Sequence, residues 1–182
     1  MESNLRNTGR QISIASAKIA VRYYLLREIP SAEDGDFTYE KFEGRYNSDL
    51  AGGIGNLVLR TRTMADSKVS QGLVMSNETN NAKLKKEIKR VEKEYEKAFE
   101  GFKFNEALKA VWELIGFCDK YINDTRPWQK EKGNEKIISD VIFALDKIAV
   151  LLQPFLPETA DKIINQLKNK PKEALFPRIG AK

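Results

Sequence analysis

Between residues 38 and 68 the apolar side chains Phe42, Tyr46, Leu50, Ile54, Leu57 and Met64 step by three, four or seven positions. That is the spacing of one face of an α-helix. At about 1.5 Å per residue, a helix of this span is on the order of 45 Å long. It is a strut whose apolar face other helices must cover. The rest of the chain supplies them. Residues 11–28 carry Ile12, Ile14, Ile19, Val21, Tyr24 and Leu25 before Pro30 ends the pattern. Residues 82–99 place Leu84, Ile88, Val91 and Tyr95 at i, i+4, i+7 and i+11. Residues 105–122 align Ala107, Val111, Leu114, Ile115 and Cys118, which makes Cys118 a buried structural thiol. Residues 134–152 are the most apolar and are expected at the centre, and residues 159–167 form a short last helix. Strand alternation and internal repeats are absent from the sequence. The predicted fold is all-α, an antiparallel helical bundle with a short N-terminal helical appendage.

Gly52, Gly53 and Gly55 lie inside the long strut. Each costs roughly 0.5–1 kcal/mol relative to alanine. The cluster therefore calls for a bend, a close helix crossing or a ligand against the backbone, with close packing the expected reason. It has no preceding strand and no following Lys-Ser/Thr, so it is not a phosphate-cradling loop. The acidic run of Glu33, Asp34 and Asp36 around Gly35 has turn chemistry and lacks the ligand spacing of a calcium loop.

The 182 residues include no histidine and a single cysteine. That removes an imidazole base, a Ser-His-Asp triad and a four-thiolate zinc cluster. A lone thiol fits a reducing compartment. Asp146 and Lys147 interrupt the most apolar late stretch, and no apolar signal core follows Met1. A cytoplasmic location without membrane attachment is expected. No catalytic residue, cofactor site or metal site is legible.

The net charge of +5 comes from 31 basic and 26 acidic residues. Residues 82–99 hold seven Lys or Arg, interleaved with Glu87, Glu92, Glu94 and Glu96, which reads as a solvated, salt-bridged face. A more specific pattern lies on the strut. Drawn as a continuous α-helix, it puts Arg45, Gly52, Asn56 and Arg60 on one side, away from the apolar face. An amide beside a guanidinium fork can read base edges, and a tryptophan can stack on an unpaired base. Trp128, held behind Pro127 in a polar linker, suits stacking. The plainer alternative packs Trp128 on the bundle and pairs Arg60 with a local carboxylate such as Asp49.

Four segments resemble the methionyl-tRNA synthetase family. RYYLLREIPSAEDGDFTYEKFEGRYNSDLAGGIGNLVLRTRTM (22–64) is similar to the stretch after its catalytic domain. ALKAVWELIGFCDKYINDTRPW (107–128) resembles the segment ending in its Pro-Trp corner, and LLQPFLPETADKI (151–163) and LFPRI (175–179) resemble its C-terminal signatures. The likeness runs from 19 to 179, apart from a variable hairpin around 76–102. It implies a helical anticodon-binding domain at 37–182. Residues 1–36 would then be a remnant of the stem-contact segment behind an unfamiliar N-terminus. It further implies that Asn56 and Arg60 hydrogen-bond the CAU anticodon and that Trp128 stacks on it, with Pro127, Arg45 and Gly52 in support. The implied partner is methionine tRNA. Gly52 stands where the family commonly has asparagine, and Ile19 where it has an acidic residue. The ATP-site motifs of the family are not in the sequence, so catalysis by this chain alone is not expected. Further partners would be a catalytic chain acting in trans or a second copy of this chain, since the apolar N-terminal segment is expected either to fold back on the bundle or to mediate self-association. The alternative function is a helical protein-interaction or oligomerisation module that kept the fold and lost RNA recognition.

Overall fold

In the computed structural model, residues 14–69, 78–129, 133–168 and 174–180 are described. In chain order the elements are α1 (Ile14–Glu28), α2 (Tyr39–Arg45), a π-helical segment (Tyr46–Gly55), α3 (Asn56–Val69), α4 (Ala82–Glu100), α5 (Phe104–Thr125), a 3-10 turn (Pro127–Gln129), α6 (Asn134–Leu152) and α7 (Pro157–Lys168). No strand occurs among the described residues.

The local signals account for the element ends. The Thr38 hydroxyl accepts from the Lys41 N–H at 3.2 Å and starts α2. Asn81 does the same for α4, its Oδ1 accepting from Lys83 and Leu84 at 3.1 and 3.2 Å. Pro157 opens α7, where its missing N–H costs nothing. Helix α6 is the axis of the bundle and packs against α3, α4, α5 and α7. Ile138, Val141, Ala144, Leu145, Ile148, Ala149 and Leu152 on it lie in the core.

The strut from 39 to 69 is helical throughout but not uniformly α. Its glycine-rich stretch winds as π-helix, and the glycines permit it. A Cβ on Gly52 would lie 2.8 Å from the Asn47 carbonyl, and one on Gly55 2.7 Å from that of Leu50. Both carbonyls are five residues back, where π turns bring them under the chain. The expectation of close helix packing is corrected in part: the tightest neighbours of these two glycines are their own helix's carbonyls. The C-terminal residues 175–179 strap this segment. Tyr46 donates to the Pro177 carbonyl at 2.8 Å, Asn47 exchanges two hydrogen bonds with Ile179, and Leu175 and Phe176 are buried beneath.

Helix α1 packs on α5, burying Ile19, Ala20, Tyr23 and Tyr24. The Tyr23 hydroxyl donates to Asp49 at 2.7 Å, and its ring lies 4.6 Å from that of Trp112. The apolar N-terminal helix thus folds back on the bundle. Buried Asp140 on α6 accepts from Thr79, from Tyr121 at 3.0 Å and from Asn81 at 3.5 Å. This pins the start of α4 to the C-terminal half of α5. The candidate site lies at that half.

Candidate nucleic-acid interface

Helix α5 is apolar inward but turns polar on its exposed flank at Asp119 and Asn123, one helical turn apart. Arg60, on the second turn of α3, reaches across to both. Its Nη2 donates to Asn123 Oδ1 at 2.9 Å, and its Nη1 lies 3.6 Å from Asp119 Oδ1. The guanidinium also sits over the indole of Trp128, with Cζ 5.7 Å from the ring centroid. That is within cation–π range. Burial raises the pKa of the Asp119 carboxyl, and the charge on Arg60 lowers it in part. Burial also pushes the neighbouring Cys118 thiol up to about 12, which leaves it inert.

Trp128 is positioned by the chain that ends α5. Arg126 turns the backbone into the left-handed region, Pro127 is buried and Trp128 is 53% exposed. The Gln129 N–H donates to the Arg126 carbonyl at 2.9 Å and closes the turn. One face of the indole thus has a cation against it, and the ring is open to solvent. Asn56 is exposed one turn before Arg60.

Of the residues singled out from sequence, Arg60 and Trp128 are in contact, Asn56 lies one turn away and Pro127 anchors the corner. Arg45 does not join them. Its guanidinium pairs with Glu28 and, at 3.2 Å, with Asp49, toward α1. The reason is the π-helical segment, which takes more residues per turn and so shifts the register between Arg45 and Asn56. Gly52 faces the C-terminal strap, 3.6 Å from Arg178 Nη2 when a Cβ is placed on it. The plainer alternative of Arg60 facing a carboxylate is present with a different partner: Asp49 is held by Arg45 and Tyr23, and Asp119 takes its place. Asp119, Asn123 and Arg126 were missed. The available signal for the first two was a polar i, i+4 pair just ahead of the Pro-Trp corner.

Residues 81–178 match the family model of the anticodon-binding domain of tRNA ligases, and the chain belongs to that family. It is of the methionyl-tRNA synthetase type: residues 10–62 match class I tRNA synthetases of the M group. It is 41% identical over 160 residues to the methionine–tRNA ligase of Oceanobacillus iheyensis, covering 81% of this chain and 23% of that protein. With the Bacillus subtilis methionine–tRNA ligase it is 40% identical over 157 residues, covering 81% and 24%. The chain therefore spans about a quarter of the length of the curated relatives it matches. Mycobacterium tuberculosis methionyl-tRNA synthetase in complex with methionyl-adenylate superposes with a TM-score of 0.76 at 27% identity, covering 96% of this chain and 36% of that one. Among the described residues no helix is long and apolar enough to cross a membrane.

Proposed function

We propose that this chain binds methionine tRNA in the cytoplasm by reading its CAU anticodon, and that it catalyses nothing alone. Arg60 and Asn56 supply hydrogen-bond donors and an acceptor to base edges, and Trp128 supplies the stacking surface. Pro127 and the turn around it hold the indole in place, and residues 1–36 comprise a stem-contact remnant behind a novel N-terminus, with helix α1 docked on the bundle. The observation that carries the reading is the position of Arg60, held by Asn123 and Asp119 against a half-exposed indole. Two groups suited to an unpaired base thus stand side by side. Aminoacylation would need a catalytic chain in trans.

Gel-shift titration against methionine tRNA and an anticodon-altered version, at several salt concentrations, tests this. Selective binding that weakens steeply with salt is expected. Equal binding, or none, would leave the fold serving as a protein-interaction or oligomerisation module. ATP–pyrophosphate exchange by the chain alone would overturn the non-catalytic reading.

A further inference from the structure

The turn that presents Trp128 is built on a backbone conformation its sequence does not favour. Arg126 has φ 44° and ψ 59°, the left-handed region. Glycine is the usual residue where a helix ends this way, because a Cβ meets the following carbonyl there. Pro127 restricts Arg126 further. The backbone duties of the position need no arginine: its N–H donates to the Ile122 carbonyl and its carbonyl accepts from Gln129, both at 2.9 Å. The side chain is exposed and lies within 4 Å of no carboxylate among the described residues. Of the two carboxylates at this end of α5, Asp119 faces Arg60 and Asp124 makes no ion pair with Arg126. A guanidinium with no counter-ion among the described residues thus stands two residues from an open indole, at a site where glycine would fold with less strain.

We propose that Arg126 is a phosphate-binding residue. Its guanidinium takes the backbone phosphate beside the nucleotide whose base stacks on Trp128. The planar fork of arginine matches phosphate oxygens in pairs, and such contacts fix register without reading sequence. The assignment rests on the anticodon-binding reading for its partner but concerns a different group and a different part of the RNA.

The test uses the full chain, two short RNA hairpins (one with a CAU loop, one with an altered loop), and the variants Arg126→Gln, Arg126→Lys and Arg126→Gly. Arg126→Gln is expected to weaken both hairpins by the same factor, about three- to tenfold, and to reduce the slope of log affinity against log salt by about 0.7. Arg126→Lys should restore part of the affinity. Arg126→Gly should bind as poorly as Arg126→Gln, yet melt at or up to about 4 °C above the parent. Lost binding with retained or increased stability has no explanation in misfolding. If the parent discriminates between hairpins and Arg126→Gln keeps its affinity and salt slope, the phosphate assignment is wrong and the anticodon reading stands. If the parent binds both hairpins equally and Arg126→Gln weakens both, the reverse holds. Binding of neither hairpin by the parent overturns both. Loss of discrimination in Arg126→Gln, or a lower melting point in Arg126→Gly, overturns the phosphate role.

Discussion

On the α4–α5 hairpin, Arg90 donates hydrogen bonds to Glu87, Glu94 and Glu113 at 2.7 to 3.2 Å. At the C-terminal end of the same α5, Arg60 has one carboxylate at 3.6 Å, one amide oxygen and the face of an indole. The surroundings differ in the same sense. The hairpin obeys local rules: an asparagine cap, i→i+3 and i→i+4 ion pairs and a clean apolar stripe. The region around Arg60 departs from them, with π-helical turns ahead of α3, a left-handed arginine behind α5 and an exposed tryptophan. Three carboxylates leave Arg90 little to offer a ligand. Arg60 keeps donors unspent, beside an exposed ring.

The contrast between the two arginines can be broken by substitution. Trp128→Ala should cost about 1–3 kcal/mol of RNA affinity through lost stacking. Arg60→Ala should cost about 1–3 kcal/mol and abolish preference for the cognate anticodon. Both are measured by titration with cognate and altered tRNA. If Arg90→Ala changed that preference as much as Arg60→Ala, the distinction between a saturated and an available arginine would be lost.

The irregular backbone gives the next effect. Alanine at Gly55 or Gly52 brings a Cβ to 2.7 or 2.8 Å from a carbonyl, so each should destabilise by roughly 1–3 kcal/mol in urea unfolding. Gly44, in α2, has nothing within 4 Å of where a Cβ would stand, and Gly44→Ala should be neutral or gain up to about 1 kcal/mol. Equal behaviour of Gly44 and Gly55 would remove the link between glycine and π-helical winding.

Smaller effects belong to the ion pairs. Arg90→Ala should cost at most about 1 kcal/mol of stability, because its network is solvated, and leave RNA discrimination intact. For Asp119 the sign follows from its raised pKa. A carboxyl that holds its proton more tightly when folded contributes stability that is present at acid pH and lost as pH rises through the folded pKa. Asp119→Asn should therefore be at least as stable as the parent at pH 7, with any advantage shrinking toward pH 4. Urea midpoints at the two pH values check it. An advantage that grows on acidification would contradict the stated shift.

The regular half of the molecule was the readable half. Residues 134–152 emerge as α6 with the same ends, and residues 82–99 as α4 extended by one residue, because caps and apolar spacing are local. Cys118 is buried as its place on the apolar face required. What escaped was the winding of the glycine segment, which depends on contacts with carbonyls five residues back. Placing Arg45 beside Asn56 assumed uniform α geometry and failed for that reason. The partners of Arg60 escaped too, since Asn123 is 63 residues away and only the packing of α3 along α5 joins them. Arg126 gave no warning, because nothing about arginine announces a left-handed conformation.

The most direct measurement is side-by-side binding of the purified chain, and of its Arg60→Ala variant, to methionine tRNA and to the same tRNA with an altered anticodon. The expected result is tighter binding of the cognate tRNA by the parent and convergence of the two affinities in the variant. Indistinguishable affinities for the parent would contradict anticodon reading at Arg60.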